Sequence, residues 1–336
     1  MTPGARNLIT DVPGLRVGSA EDARLRSGVT VVLGEGSLRG AVDIRGGGPG
    51  TRDTHALMPE GVAGELHAVV LSGGSAFGLD AATGAQAWLR ERGAGFAVGP
   101  ARVPIVPQAI LFDLLNGGDK DWGRFPPYRD MAYAACESAG AEVTLGSAGA
   151  GYGATTERLK GGLGSASAVT ADGVTLGALA VVNAAGNVTV GATPHFWAAP
   201  FEIGAEFGGR GWPQAMPPDA LEPRTKAGAR ADANTTLAVV ATDADLDKLA
   251  LKRLAIMAQT GLARSIYPVH TPLDGDIVFA LSTARGPAVE PVFALAELGA
   301  LAANVLARAV ARAVYEAAAF PGGDGPPAYR DVYAPA

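Results

Sequence analysis

Apolar positions along the chain follow two spacings. Short runs rich in Val and Leu, of the kind that suits a strand buried on both faces, occupy residues 29–33, 67–71, 142–145, 176–183, 235–242 and 277–282. Between them lie longer stretches whose apolar residues recur at helical spacing, at 76–92, 128–139, 245–263 and 292–319. Asp243 and Asp245 are placed to cap the third of these. Strands and helices alternating in this way, bounded by Gly, predict an α/β or α+β fold with well-covered sheets. The last helix lies in the longest apolar tract, but Glu297, Arg308, Arg312 and Glu316 within it predict an amphipathic helix rather than a membrane span.

One stretch follows neither spacing. Residues 200–233 are rich in Gly and Pro, including Pro217, Pro218 and Pro223, and show little periodicity of either kind. A connection this long without structure marks a functional loop, a linker or a processed segment. It stops at Asn234-Thr235-Thr236, where a Val-rich strand begins.

Composition narrows the class. With 48% hydrophobic and 18% charged residues in 336, the chain can bury a large core, which excludes a disordered or fibrous protein. The 47 Gly and 23 Pro against 6% aromatics predict tight turns and close backbone approaches, without the fixed period of collagen or any internal repeat. A net charge of -6, with its Lys and Arg dispersed, argues against nucleic acid as a partner. A single cysteine, Cys136, can form neither an internal disulfide nor a thiolate zinc site. That cysteine and an N-terminus without signal-peptide character predict a cytoplasmic protein with no membrane partner.

Familiar catalytic motifs fail in turn. Ser75 follows a strand and opens a helix, but Phe77 stands where a nucleophile elbow needs its second Gly. The turn could still aim backbone N–H groups at a carboxylate or carbonyl oxygen, or be a tight turn and nothing more. Gly149-Ala-Gly-Tyr-Gly-Ala154 has the form of a dinucleotide fingerprint, yet no helix pattern follows it. His55, His67, His195 and His270 lack metal-ligand spacing and read as core or surface residues. There is no Walker motif, and no cofactor or metal is implied.

Thr235 remains, at the junction of the irregular stretch and a strand. It could simply be a β-branched residue opening that strand. The functional reading is that the Asn234–Thr235 peptide bond is cut autocatalytically. Thr235 would then be a new N-terminus, its hydroxyl the nucleophile and its α-amine the base. An α-amine titrates near 7.7–8.0, so it can act without a histidine.

A series of blocks then resembles the P1 peptidase (L-aminopeptidase/D-esterase, DmpA-like) family, which includes β-aminopeptidases and the nylon-oligomer (6-aminohexanoate oligomer) endo-hydrolase. The blocks are Ile9-Thr-Asp-Val-Pro-Gly-Leu-Arg-Val-Gly18, Ala41-Val-Asp-Ile-Arg-Gly-Gly-Gly-Pro-Gly-Thr51, Leu71-Ser-Gly-Gly-Ser-Ala-Phe-Gly-Leu79, Val103-Pro-Ile-Val-Pro107, Ala109-Ile-Leu-Phe-Asp-Leu114, Leu159-Lys-Gly-Gly162, Ala178-Leu-Ala-Val-Val-Asn183, Asn234-Thr-Thr236 and His270-Thr-Pro-Leu-Asp-Gly-Asp276. The resemblance spans nearly the whole chain.

It implies a DmpA-like layered α-β-β-α sandwich, similar to N-terminal nucleophile hydrolases. It also implies a single hydrolase domain over 1–336, cut into 1–234, with a flexible loop at 200–234, and 235–336. By the same resemblance, Lys160 lies near the nucleophile, the Asn183 amide donates to the oxyanion, and Asp274 and Asp276 orient the Thr235 amine. Each also has a plain structural reading: a solvated lysine, a turn cap and an Asp-Gly turn. Phe112 stands where the nylon-oligomer enzyme has a tyrosine, which puts efficient action on synthetic oligoamides in doubt.

The implied activity is hydrolysis of short peptides, amino-acid amides or esters through an acyl-enzyme on Thr235. The alternatives are an endo-amidase on 6-aminohexanoate oligomers and a catalytically inactive binding protein on the same scaffold. A homo-oligomer of cleaved units, with a tetramer as one candidate form, is the implied assembly.

Overall fold

The computed structural model describes residues 2–226, 234–290 and 292–333; the part of the predicted loop at 227–233 lies outside them. In chain order the strands are β1 (Leu15–Asp22), β2 (Ser27–Ile44), β3 (Gly50–Arg52), β4 (Leu66–Ser72), β5 (Phe96–Val98), β6 (Ala101–Val103), β7 (Gln108–Ile110), β8 (Gly162–Val169), β9 (Thr175–Asn183), β10 (Thr235–Thr242) and β11 (Ile277–Ser282). The helices are α1 (Ala81–Glu91), α2 (Tyr128–Glu137), α3 (Lys248–Ala263), α4 (Phe293–Tyr315) and the short α5 (Tyr329–Val332).

Among the described residues nine strands form one connected sheet, in the order β3-β7-β4-β2-β11-β10-β9-β8, with β1 also paired to β2. The hinge is the long β2. Its first half pairs with β1 and β4, its second half with β11, and the ladder to β4 is interrupted between Leu33 and Leu38. That irregularity lets the sheet fold over on itself. Val32, Val69 and Leu71 from one half then meet Leu179, Val239 and Phe279 from the other in a shared core. The outer face of β8–β11 is covered by α3 and α4, and that of β2 and β4 by α1 and α2. The result is the expected α-β-β-α sandwich.

β10 shows why the sequence commits to this arrangement. All eight of its residues are buried. Leu237, Val239 and Ala241 face the inner core, while Ala238 and Val240 face the helices. A strand with no polar face must lie centrally, and β10 does, antiparallel to β9 and parallel to β11.

Four sequence expectations need correction. Residues 142–145 form no ladder; the nearest pairing is the isolated bridge Gly146–Leu163. The helix expected at 76–92 opens as a 3-10 turn, Ser75–Asp80, before α1 begins. Asp247 caps α3, accepting from the Ala250 N–H at 2.8 Å. Asp243 instead accepts from the Thr175 N–H, and Asp245 pairs with Arg39. The charges of α4 do not all make a solvated face either. Arg308 is fully buried, 2.5 Å from Glu206, and also donates to the Ser167 carbonyl and Asn7 Oδ1. α4 is apolar because it lies between β8, β9 and α3, although by length and composition alone it could cross a membrane.

β8 and β1 escaped the hydrophobic pattern. β8, Gly-Leu-Gly-Ser-Ala-Ser-Ala-Val, is made of small residues because α4 lies directly on it. A Cβ at Gly162 or Gly164 would run into the carbonyls of Ala313 and Ala309.

Burial alone would raise the Glu206 carboxyl, but the hydrogen bonds and charge of Arg308 outweigh it and hold the group below its ordinary range. Removing Arg308 leaves Glu206 buried with only Arg312, 4.0 Å away, as a counter-charge. Arg308→Ala is therefore expected to destabilise the fold by about 3–5 kcal/mol. Arg24→Ala, which breaks an exposed pair with Asp119, should cost under about 1 kcal/mol. Urea unfolding of the two variants checks this; equal losses would refute it.

Candidate active site

Thr235 opens β10, and the chain just before it is already held. Asn234 forms a parallel bridge with Asp274: its N–H donates to the Leu273 carbonyl at 2.9 Å, and its carbonyl accepts from the Gly275 N–H at 2.7 Å. The Thr235 hydroxyl donates to that same Asn234 carbonyl oxygen at 2.5 Å. Glycine at 275 is required by space, since an added Cβ would lie 2.7 Å from Thr235 Oγ1. Behind this segment the Gly-rich turn after β2 supplies backbone donors. Gly48 N–H reaches the Asp274 carbonyl at 2.8 Å and Arg45 N–H the Asp276 carbonyl at 2.9 Å.

Asp274 and Asp276 are both buried, and both are occupied by the frame around Thr235. Asp276 accepts from the Thr236 N–H at 2.7 Å through Oδ1, and from the His270 N–H and ring Nδ1 at 3.0 and 2.9 Å through Oδ2. Asp274 accepts from the Ala185 N–H through Oδ1 and from the Thr271 N–H and hydroxyl through Oδ2. Burial, then the nearby Asp276 charge, push the Asp274 carboxyl above its ordinary range, against the pull of the Thr271 and Ala185 donors.

Asn183 ends β9 directly opposite Thr235. Its Nδ2 donates to the Phe112 carbonyl at 3.0 Å, and its Oδ1 accepts from the Thr155 N–H at 3.0 Å and from Lys226 Nζ at 2.9 Å. A cavity of about 440 Å³ opens beside it, lined among others by Phe112, Asp113, Thr155, Glu157, Lys226 and Phe320. Thr235 is not in that lining; Asn183, its partner across the strands, links it to the cavity.

Lys160 is fully buried, but its ammonium is turned to the carbonyls of Gly151, Ala154 and Gly161, at 3.2, 2.9 and 3.1 Å, and lies 4.8 Å from the Phe320 ring centroid. The solvated lysine in a Gly turn is thereby excluded. Burial pulls its pKa down to about 7; Asp113 opposes this and Lys226 adds to it. Asp113 in turn accepts from Ser27 Oγ at 2.6 Å and the Gly74 N–H at 2.8 Å. The carboxylate that the turn at Ser75 was suited to attract is thus one of the chain's own.

The structure brings Thr235, Asn183, Asp274 and Asp276 to one place and sets Lys160 beside the cavity. It also adds residues that the sequence reading passed over. His270, read as core or surface, sits against Asp276, and its backbone is in the left-handed region at φ 55°. Gly275, Thr155 and Lys226 act through backbone groups or across long sequence separations, so no local motif marked them. Among the described residues no group of three or more His, Cys, Asp or Glu is arranged to hold a metal ion. Cys136 is buried, and burial pushes its thiol up to about 12.

A model of peptidase family S58 matches residues 7–327. An uncharacterized aminopeptidase of Mycobacterium bovis is 45% identical, over 97% of this chain and 98% of its own length. A 6-aminohexanoate-oligomer endohydrolase of Kocuria sp. is 30% identical over 83% of this chain and 76% of its own. Among solved structures, a Burkholderia sp. β-aminopeptidase superposes with a TM-score of 0.73 at 23% identity, covering 98% of this chain and 92% of that one. The L-aminopeptidase D-Ala-esterase/amidase of Ochrobactrum anthropi, described as a variant of the N-terminal nucleophile hydrolase fold, gives 0.68 at 24%, covering 96% and 89%.

The depressed Lys160 has a consequence for stability. Between pH 7 and 10 the unfolded chain keeps this proton while the folded chain has lost it, so stability rises with pH across that window. The cost of burying the charge is full below about pH 7. In a Thr235→Ala background, where the chain should stay whole, Lys160 should make stability climb relative to Lys160→Met by up to about 1.4 kcal/mol per pH unit. Urea unfolding from pH 6.5 to 9.5 reads this out, and parallel curves for the two chains would count against it.

Proposed function

The chain belongs to peptidase family S58, and from that premise we propose that it is a self-processing amidohydrolase whose nucleophile is the Thr235 hydroxyl. Its substrates on this reading are short peptides, amino-acid amides or esters. The observation that carries the reading is the shared acceptor at the cleavage point. The Asn234 carbonyl oxygen takes hydrogen bonds from both the Gly275 N–H and the Thr235 hydroxyl.

In processing, Thr235 Oγ1 attacks the Asn234 carbonyl carbon and the negative charge gathers on the oxygen that Gly275 already contacts. The C–N bond then breaks and the Thr235 nitrogen takes up the proton the hydroxyl gave up, leaving an ester between Asn234 and Thr235. Water hydrolyses that ester to an Asn234 carboxylate and a free Thr235. The new α-amine stands one residue from the Thr236 N–H that Asp276 holds, so this carboxylate can orient it.

In turnover the neutral α-amine takes the hydroxyl proton as Oγ1 attacks the substrate carbonyl. The Gly275 N–H, released from the Asn234 carbonyl, and the Asn183 amide are the donors for the oxyanion. Collapse expels the leaving amine, which accepts the proton, and water activated by the same α-amine releases the acyl group. Asp274 and Asp276 are positioning residues on this scheme. The Kocuria relative supports a second reading, endo-hydrolysis of 6-aminohexanoate oligomers, although Phe112 supplies no phenol at the cavity.

Denaturing electrophoresis with intact mass should show two fragments of the wild type meeting at Asn234/Thr235. Thr235→Ala should stay whole and inactive, and Thr235→Ser should still cut. Release of p-nitroaniline from α- and β-aminoacyl anilides should outpace shortening of an amide oligomer. An uncut wild type with full amidase activity would overturn the mechanism. Gly275→Ala, which crowds Thr235 Oγ1 and displaces the carbonyl donor, should slow self-cleavage by about 10²-fold or more, with the folded state verified by circular dichroism; cutting at the wild-type rate would remove Gly275 from the scheme.

A further inference from the structure

Asp276 is met on one oxygen by two donors from a single residue. His270 gives Oδ2 its main-chain N–H at 3.0 Å and its ring Nδ1 at 2.9 Å, while Oδ1 takes the Thr236 N–H at 2.7 Å. An ionised carboxylate can only accept, so Nδ1 carries a proton, and in the neutral imidazole Nε2 is left as the acceptor. Asp276 itself is buried, whereas the His270 side chain is 23% exposed.

The backbone at His270 is held from both sides in a costly conformation. Its φ of 55° lies in the left-handed region, which a residue with a Cβ adopts at a steric cost. On one flank Tyr267 exchanges N–H and carbonyl with Asn187, each bond 2.9 Å long, and on the other the Thr271 carbonyl accepts from the Gly47 N–H at 3.3 Å. Thr271 also turns its N–H and hydroxyl to Asp274. Glycine would meet this backbone requirement with less strain, so the imidazole needs a reason of its own. Its contact with Asp276 Oδ2 supplies one.

We propose that His270 is a positioning residue for Asp276. The paired donors fix Oδ2 and with it the plane of the carboxylate, which leaves Oδ1 aimed at the Thr236 N–H and, once the chain is cut, at the Thr235 amine beside it. Without the imidazole a single main-chain donor remains on Oδ2, and the carboxylate is free to turn about its Cβ–Cγ bond. The device acts on the nucleophile and its base rather than on bound substrate, so its loss falls on kcat and not on KM. The part that concerns the amine rests on the reading of Thr235 as nucleophile; the lock on Asp276 does not.

Two variants separate the ring from the backbone. His270→Gly suits the left-handed conformation but has no side-chain donor. His270→Asn also tolerates that conformation, and its Nδ2 stands as many bonds from Cβ as the Nδ1 it replaces. With an aminoacyl p-nitroanilide, His270→Gly should lower kcat about tenfold or more with KM within about twofold of wild type, and His270→Asn should return kcat to within about threefold. A Gly variant that stays uncut beside an Asn variant that cuts supports the proposal equally. In the uncut Thr235→Ala chain, amide exchange at Thr236, followed by NMR, should be about tenfold faster or more with His270→Gly than with His270→Asn. Wild-type kcat for His270→Gly, a loss confined to KM, or an Asn variant no better than the Gly variant overturns the proposal. The two readings fail separately. An uncut, inactive wild type refutes the nucleophile, and exchange at Thr236 then decides the lock, which equal rates in the Gly and Asn variants refute.

Discussion

The register of β10 between β9 and β11 is the constraint on which the site depends. The strand is buried on both faces, so a slip of one residue would exchange Leu237, Val239 and Ala241 with Ala238 and Val240 and mismatch both cores. Packing therefore fixes the position of Thr235, opposite Asn183 on one side and beside the 274–276 segment on the other. The Asn234–Thr235 peptide is pinned by a hydrophobic core that has no chemistry of its own. A side chain at the first residue of a central strand inherits the rigidity of the whole sheet.

Charge at the site is handled largely by backbone groups. Lys160 is surrounded by three carbonyls, and Asp113 is met by an N–H and a serine hydroxyl. Each carboxylate of the Asp274/Asp276 pair accepts from main-chain N–H groups. Fixed dipoles of this kind can stabilise a buried charge without a rigid ion pair. They also explain where glycine is needed. The Asp274 and Asp276 main chain leaves no room for a Cβ at Gly46, and the Thr235 hydroxyl leaves none at Gly275.

How much of this was legible varied with the type of interaction. The strands at 235–242 and 277–282 could be read to the residue, because Val- and Leu-rich runs buried on both faces leave an unbroken apolar signal. β8 could not, because its Gly, Ser and Ala residues reflect the proximity of α4 rather than strand propensity. The Arg308–Glu206 pair was equally hidden, since nothing local distinguishes a buried arginine on a helix from a solvated one. Of the site, Thr235 was marked by its place at a junction, and Lys160, Asn183, Asp274 and Asp276 by family resemblance. His270 and Lys226 carried no mark of their own.

The sequence by itself determined the fold class, the central strands, the family resemblance and the junction at Asn234-Thr235 where the irregular stretch meets a strand. All of these rest on local patterns of side-chain type or on ordered blocks along the chain. Only the tertiary structure decided that Asn183 faces Thr235, that the Gly275 N–H meets the Asn234 carbonyl, and that Lys226 reaches Thr155 and Asn183. Those contacts join segments far apart in the chain or use backbone groups that every residue carries, and no residue type encodes them.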